Sequence, residues 1–230
     1  MQIQLNNTGK RFNKEWIFRN CNYTFNAGNA YAITGPNGSG KSTLLQTIAG
    51  AINASEGNVE VSIEQLTVNR LPLTEEESLL TENGKRNTVD SASLYQHLSI
   101  AAPYLDLVEE MTATEALEFH AAFKPLLKGI TIEEILTIVG LKAAAHKQIR
   151  YYSSGMKQRM KLAQAIFSDV TILLLDEPCT NLDAVGYTLY HQLIKDYCAN
   201  KLVIVCSNDP QEFDFCTEKL DIMSYKPIKI

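Results

Sequence analysis

The sequence has little of what marks membrane proteins, secreted proteins and nucleic-acid-binding proteins. No apolar run approaches the roughly 18 residues that a membrane-spanning helix needs. Residues 1–6 lack the basic and apolar regions of a signal peptide. The net charge is −5, and no run of lysine and arginine is present. We therefore expect a cytoplasmic protein without a membrane span of its own, and we do not expect nucleic acid as its main partner.

Cysteine and histidine are also few, and their spacing does not suit a metal site. The five cysteines form no C-x-x-C pair and no zinc-finger spacing with the four histidines. We expect free thiols in a reducing compartment, and histidines that serve as surface or packing residues. These residues are Cys21, Cys179, Cys198, Cys206, Cys216, His97, His120, His146 and His191.

The composition is that of an ordinary globular domain, with 45% hydrophobic and 20% charged residues in a chain of 230. Apolar periodicity and turn residues predict the elements of secondary structure. Strands are predicted at 1–8, 16–25, 29–34, 59–63, 170–175, 201–206 and 220–225, and helices at 42–49, 112–123, 131–139, 156–168, 183–197 and 211–216. Because strands alternate with helices, the fold class is α/β with a mostly parallel sheet.

We predict a single domain over residues 1–230 with two structural parts. Residues 1–99 and 153–230 form the core, which includes an antiparallel β subdomain at the N-terminus, and residues 100–152 form an inserted helical lobe. Between residues 65 and 93 the periodicity weakens, which predicts a loop or a flexible hairpin.

A phosphate-binding loop is the strongest motif of the chain. Residues 35–43 satisfy G-x-x-x-x-G-K-[ST], between a predicted strand and a predicted helix. Glycines let successive backbone N–H groups converge on a polyphosphate, and the following helix adds the positive end of its dipole. Lys41 would bridge the β- and γ-phosphates, and the Ser42 hydroxyl would bind Mg²⁺. The predicted nucleotide-binding residues here are Gly35, Pro36, Asn37, Gly38, Ser39, Gly40, Lys41, Ser42 and Thr43.

Two adjacent carboxylates follow the apolar strand at 170–175. In an open α/β sheet the site lies at the carboxyl ends of the strands, so Asp176 and Glu177 are expected beside the nucleotide. Asp176 would orient Mg²⁺, and Glu177 would polarise the attacking water as general base. The motifs together predict a P-loop nucleotide hydrolase.

The order of the motifs resembles the ATP-binding cassette (ABC) superfamily, in particular the ATP-binding subunit of an ABC transporter. Residues 152–159, Y-S-S-G-M-K-Q-R, are similar to the signature motif L-S-G-G-Q and its basic trailer. Residues 178–183, P-C-T-N-L-D, are similar to the P-x-x-x-L-D segment, which is called the D-loop. The resemblance covers essentially the whole chain.

The resemblance implies a pair of such subunits that trap ATP between the phosphate loop of one and the signature of the other. Ser153, Ser154 and Gly155 would contact the γ-phosphate across the interface, and Asp183 would couple the two sites. Ser153 and Asp183 are also suited to cap helices. Phe12 lies where the family has an aromatic residue against the adenine, with Trp16 as the alternative.

The chain departs from the family pattern at three points. The signature has Ser154 in place of its second glycine and Met156 in place of glutamine. No glutamine stands in residues 99–104, where the family has one at the entry to the helical lobe. Asn208 occupies the position of the switch histidine; it can donate a hydrogen bond to the γ-phosphate but cannot carry a proton.

The favoured interpretation is an ATP-hydrolysing subunit that powers a transporter, with ATP and Mg²⁺ as cofactors. It would pair with an identical or a second ATP-binding subunit and drive permease subunits on separate chains, on the cytoplasmic face of the membrane. The missing glutamine and histidine leave open a nucleotide-gated binding module that hydrolyses slowly. A soluble ABC-type ATPase without a membrane partner is the other alternative.

Overall fold

The computed structural model describes residues 1–64, 86–88 and 93–227. The hairpin or loop predicted at 65–93 lies almost entirely outside these residues. The nine strands that are described are β1 (Gln2–Phe12), β2 (Glu15–Asn26), β3 (Ala30–Thr34), β4 (Glu56–Glu64), β5 (Arg86–Thr88), β6 (Leu98–Ala101), β7 (Ile172–Asp176), β8 (Leu202–Cys206) and β9 (Glu218–Asp221). The five α-helices that are described are α1 (Lys41–Ile48), α2 (Ala113–Phe123), α3 (Ile132–Ile138), α4 (Ser154–Ile166) and α5 (Ala184–Tyr197).

The strands form two sheets. Four of them pair in the order β2-β1-β4-β5, and every pairing in that sheet is antiparallel. The other five pair in the order β6-β7-β8-β3-β9, and all of those pairings are parallel. The predicted fold class, with a parallel sheet and an N-terminal antiparallel sheet, is confirmed.

The parallel sheet is covered on both faces, which explains why its central strands are continuously apolar. Every residue of β7 and β8 is buried. Because side chains alternate along a strand, Leu173 and Val203 pack into one apolar core with α4 and α5. Leu174 and Ile204 pack into a second core with α1 and the antiparallel sheet. Each fully buried leucine or isoleucine contributes about 1.5–3 kcal/mol through the hydrophobic effect.

The region between β6 and α4 contains α2 and α3, and both of these helices begin at capping boxes. Thr112 caps α2, and its side chain accepts a hydrogen bond from the Glu115 backbone N–H. The Glu115 carboxylate in turn accepts a hydrogen bond from the Thr112 backbone N–H. Thr131 and Glu134 repeat this arrangement at α3. Both α-helices of this region therefore begin at the threonine that caps them.

Two predicted elements near the C-terminus were wrong in type or extent. The helix predicted at 211–216 is a short 3-10 helix, Pro210–Glu212, and the strand predicted at 220–225 gives way to a 3-10 helix, Ile222–Tyr225. In each case an aspartate accepts a hydrogen bond from the backbone two residues later: Asp209 from Gln211 at 3.0 Å and Asp221 from Met223 at 2.9 Å. Such local caps favour tight turns over longer elements.

Candidate nucleotide-binding and hydrolysis site

The phosphate loop joins β3 to α1 at the carboxyl edge of the parallel sheet. Gly35 has φ 145° and Gly40 has φ 101°, both in the left-handed region. A Cβ atom on Gly35 would lie 2.7 Å from Ile222, and one on Gly40 would lie 2.4 Å from Ile17. Because neither position has room for a side chain, both must be glycine. Gly40 also precedes α1 without a side-chain cap, so the first amides of α1 have no side-chain acceptor there.

Lys41 closes the loop on itself. Its side chain is 4% exposed, and Nζ donates to the backbone oxygens of Gly35 at 2.9 Å and Pro36 at 3.3 Å. The ammonium group is therefore held against the backbone of the phosphate loop. An anion bound in this loop would therefore meet the positive charge of Lys41.

Asp176 is a buried carboxylate at the end of β7. It is 1% exposed, and neither of its carboxylate oxygens forms a hydrogen bond of normal geometry with the residues that the structure describes. Burial raises the pKa of Asp176 and the charge of Glu177 adds to the rise, while the nearby Ser42 hydroxyl and Lys41 ammonium lower it. A carboxylate buried without partners is costly, and a cation at this point removes the cost.

The oxygens of Asp176 suit a magnesium ion better than a metal ion that is held by protein ligands alone. In the described part of the chain, no group of three or more histidine, cysteine, aspartate and glutamate side chains could hold a metal. Mg²⁺ is usually bound by one or two protein oxygens together with water and substrate phosphates. The orphaned oxygens of Asp176 and the hydroxyl of Ser42, one residue after Lys41, are a donor set of that kind.

Glu177 follows directly in a backbone conformation that is rare for a residue with a side chain. Its φ is 44°, in the left-handed region. Its backbone N–H donates to the Cys206 oxygen of β8 at 2.9 Å, and its oxygen accepts from Thr180 at 3.1 Å. The peptide bonds on both sides of Glu177 are thus fixed, which places a half-buried carboxylate next to Asp176.

Asn208 lies in the loop after β8, the neighbour of β7 in the sheet. Its side-chain Nδ2 donates to the side-chain oxygen of Asn37, in the phosphate loop, at 3.1 Å. Both residues are exposed. The structure therefore brings the predicted switch position to the predicted phosphate loop.

The signature residues lie at the start of α4. Ser153 caps this helix by accepting a hydrogen bond from Met156 N at 3.2 Å, and Ser153 and Ser154 are exposed. A Cβ atom on Gly155 would lie 3.1 Å from the backbone oxygen of Asn181. Within the residues described, no hydrogen bond or ion pair joins this segment to the phosphate loop of the same chain.

The D-loop segment is tied to the signature helix. Asp183 caps α5 by accepting from Gly186 N at 2.8 Å, and its carboxylate lies 3.6 Å from the Arg159 guanidinium of α4. The side chain of Gln158 donates to the Pro178 oxygen at 2.7 Å in a buried position. Sequence analysis did not single out Gln158 or Arg159; only their place on the inner face of α4 could have indicated them.

The two candidate adenine-stacking residues have different surroundings. Phe12 is 49% exposed, with Lys10 Nζ 5.0 Å from its ring centroid. Trp16 is half-buried, with the Arg11 and Arg19 guanidinium groups 5.4 and 4.6 Å from its ring. The contact of Ile17 with Gly40 places this hairpin against the phosphate loop. Phe12 has the more accessible ring.

Two further residues near the site were missed. Glu212 is a buried carboxylate, 4% exposed, beyond Asn208. Tyr104, at the position where the family glutamine is missing, lies close to Asp176 and Gln46, and burial raises the pKa of its hydroxyl to about 12. The sequence signal for Glu212 was a carboxylate two residues after Pro210 and directly before Phe213, which does not by itself distinguish a surface turn from a buried one.

Comparison with known proteins identifies many relatives. The sequence model of the ABC transporter family matches residues 18–180. The cytochrome c biogenesis ATP-binding export protein CcmA of Agrobacterium fabrum is 28% identical over 214 residues, which cover 91% of this chain and 90% of that protein. The protein of the same name from Mesorhizobium japonicum is 30% identical over 208 residues, which cover 90% of this chain and 91% of that protein.

Solved structures agree with these relatives. The dimeric structure of a bacterial ABC transporter cassette superimposes with a TM-score of 0.72 at 25% identity, and the match covers 96% of this chain and 94% of that one. An ATP-binding subunit of an ABC transporter superimposes with a TM-score of 0.72 at 17% identity, covering 96% of this chain and 87% of that one. At the lower identity the likeness shows the fold alone.

Proposed function

We propose that this chain, which belongs to the ABC transporter family, works as one half of a head-to-tail pair that closes around two ATP molecules and drives separate membrane subunits. It is an ATP-binding subunit of a transporter and an ATPase. The observation that carries the proposed mechanism is the pair Asp176 and Glu177, beside Lys41. Asp176 is buried and its oxygens form no hydrogen bond of normal geometry with the described residues, and Glu177 is half-buried in a fixed backbone.

ATP binding uses the phosphate loop and the neighbouring hairpin. The backbone amides of the loop and of the first turn of α1 bind the phosphates. Lys41 turns from the Gly35 and Pro36 oxygens to the β- and γ-phosphates. Phe12 stacks on the adenine, which its exposure supports.

Ser42 and Asp176 hold the magnesium ion that accompanies ATP. When bound, Mg²⁺ neutralises phosphate charge that develops during transfer. On the protein side, a cation beside Asp176 removes the cost of its burial and keeps the carboxylate ionised.

Hydrolysis requires Glu177 to act as general base. Its carboxylate accepts the proton of the attacking water as the oxygen approaches the γ-phosphate. Asn208 donates its side-chain N–H to the γ-phosphate, giving up the hydrogen bond to Asn37. Since an amide carries neither a proton to transfer nor a positive charge, turnover is expected to be slower than with an imidazole at this position.

The second subunit completes each site. Ser153, Ser154 and the Gly155 amide, at the exposed start of α4, reach the γ-phosphate bound to the partner. Asp183 contacts the opposite subunit and couples the two sites. The exposure of Ser153 and Ser154, and the lack of any described bond from them to their own phosphate loop, support a role in trans.

Membrane partners are proposed to dock on the helical lobe, residues 100–152, at the cytoplasmic face. None of the helices that the structure describes is long and apolar enough to cross a membrane. Residues 102–110 and α2 instead expose a set of large apolar side chains: Tyr104, Leu105, Val108, Phe119 and Phe123. Export is favoured over import, because two relatives are named as export proteins.

Two experiments test this function. A tagged copy is purified from native membranes in mild detergent, and stoichiometric recovery of a multi-span membrane protein supports the transporter assignment. Recovery from the soluble fraction alone would favour an ABC-type ATPase without a membrane partner. Phosphate release is then measured on the recovered assembly. Lys41→Ala is expected to abolish it, whereas Lys195→Ala, at an exposed position of α5, is expected to leave it unchanged.

A further inference from the structure

Glu212 is a buried carboxylate that the mechanism above does not use. It ends the 3-10 helix Pro210–Glu212, four residues beyond Asn208, and is 4% exposed. Its Oε1 accepts a hydrogen bond from the Cys179 backbone N–H at 2.8 Å, and among the described residues its Oε2 has no hydrogen-bond partner of normal geometry. Burial raises the pKa of Glu212, the nearby Ser207 hydroxyl and the Cys179 N–H lower it, and the charges of Asp209 and Glu177 raise it further. Because burying a carboxylate costs free energy, we expect Glu212 to have a role that offsets this cost.

The bond from Cys179 to Glu212 joins the two loops that hold Glu177 and Asn208. These loops leave the neighbouring strands β7 and β8, whose registered pairs end at Asp176 and Cys206. The Glu177 N–H bond to Cys206 extends the pairing by one step. Beyond it, the Glu212 carboxylate bridges the two chain segments where backbone pairing between the strands has stopped.

The same segment is fixed to α5 at two points. The Tyr190 hydroxyl donates to the Glu212 backbone oxygen at 2.9 Å, and the Tyr187 hydroxyl donates to the Asp209 carboxylate at 3.0 Å. Tyr190 is fully buried. The residues after Asn208 therefore have a rigid support, and Glu212 transmits that support to Cys179.

We propose that Glu212 is a positioning residue, whose carboxylate holds the Cys179 amide and thereby sets the Glu177 general base against the loop of Asn208. No hydrogen bond or ion pair among the described residues joins it to the phosphate loop, so we expect it to act on the rate of the chemical step and not on ATP binding. This role rests on the proposed function of Glu177. Hydrogen bonding to a charged acceptor is typically stronger than bonding between neutral groups, which makes a carboxylate suited to this task.

Two variants separate the acceptor from the bulk of the side chain. Glu212→Gln keeps an oxygen acceptor for the Cys179 N–H, and Glu212→Leu keeps a similar volume without one. In the purified transporter assembly we expect Glu212→Leu to lower kcat about tenfold or more, with the KM for ATP within about twofold of wild type. We expect Glu212→Gln to stay within about threefold of wild type in both constants. Glu218→Leu, at an exposed position of β9, is the control.

The inference is overturned if Glu212→Leu keeps wild-type kcat, if it raises KM as much as it lowers kcat, or if Glu212→Gln falls as far as Glu212→Leu. Should Glu212→Leu fail to fold, Glu212→Asp replaces it. Aspartate keeps the charge but withdraws the oxygen by one methylene, and the same tenfold loss of kcat is expected.

Amide hydrogen exchange of the Cys179 peptide gives a readout that does not need turnover. It is expected to be slow in wild type and in Glu212→Gln, and at least tenfold faster in Glu212→Leu. Equal protection in all three would overturn the inference. An assembly that releases no phosphate in wild type would instead contradict the proposed function, while the exchange measurement still tests the contact.

Discussion

The side-chain amide of Asn208 donates a hydrogen bond to the side-chain oxygen of Asn37 across 3.1 Å, which joins two loops whose residues are 171 positions apart in the chain. One partner belongs to the phosphate loop and the other follows β8. Because both side chains are exposed, we expect a bound γ-phosphate to accept the hydrogen bond of Asn208 in place of Asn37. Under the proposed function, the amide of Asn208 takes the role of the switch histidine.

Removing this donor is expected to slow hydrolysis. We expect Asn208→Ala to lower kcat about tenfold, since a hydrogen bond to a charged group contributes about 1.5–3 kcal/mol. Asn208→His is expected to match or exceed wild-type kcat, because imidazole can donate the bond and also carry a charge. Steady-state phosphate release measures both. Asn200→Ala, at an exposed turn, is the control, and a wild-type rate in Asn208→Ala would refute the role.

Glu177→Gln is expected to separate ATP binding from ATP turnover. The amide cannot accept a proton, so hydrolysis falls to background, whereas the ATP-driven pairing of subunits persists. Size-exclusion chromatography with ATP measures pairing, and phosphate release measures turnover. Glu218→Gln, at an exposed position of β9, is expected to retain both properties of wild type. Unchanged turnover in Glu177→Gln would exclude Glu177 as the base.

Much of this site follows from sequence because its elements are local. The predicted helix at 42–49 is α1, Lys41–Ile48, and Ser153 and Asp183 cap α4 and α5 as their residue types predict. Turn residues and apolar periodicity act over a few positions, so they can be interpreted without the fold. The roles of the individual site residues stay predictions.

The remaining features depend on which distant segments meet. Nothing in the sequence pairs Asn37 with Asn208 or places Glu212 under Cys179, because both contacts arise from the strand order of the parallel sheet. The error at 211–216 has a similar origin. A side-chain cap at Asp209 stabilises a tight turn, and the apolar residue that follows, Phe213, is buried by the tertiary fold.

Phe12 is expected to contribute to nucleotide affinity. We expect Phe12→Ala to weaken ATP binding about fivefold, since a stacking contact contributes about 0.5–1.5 kcal/mol beyond its buried area. Phe12→Tyr is expected to bind as wild type does, because the aromatic face remains. Fluorescent ATP-analogue titration in the Glu177→Gln background measures affinity without hydrolysis. If Phe12→Ala binds normally and Trp16→Ala does not, the stacking residue is Trp16.

His120 is expected to make stability depend on pH. Ser168 Oγ donates to the Gln164 oxygen at 2.6 Å, so in its 2.8 Å hydrogen bond with His120 it accepts from the Nε2–H of the histidine. Burial lowers the pKa of His120, and the Lys124 charge lowers it further. The unfolded chain therefore takes up a proton near pH 6.5 that the folded chain does not, and stability falls as pH falls below that value.

His120→Gln is expected to remove this dependence. The amide can still donate to Ser168 but cannot titrate, so the free energy of unfolding should fall less than in wild type between about pH 7.5 and about pH 5.5. Chemical denaturation at each pH measures the difference. Parallel curves for the two proteins would contradict the assignment of a neutral, buried His120.

The left-handed backbone at Glu177 sets stability and activity against each other at one position. A φ of 44° suits glycine and costs a residue with a Cβ atom about 1–2 kcal/mol. Glycine would adopt this backbone conformation with less strain, yet the chain has a glutamate there. We expect Glu177→Gly to relieve this strain and, because it removes the proposed general base, to abolish turnover. Under the proposed function, the chain therefore gives up folding stability at Glu177 in exchange for ATP hydrolysis.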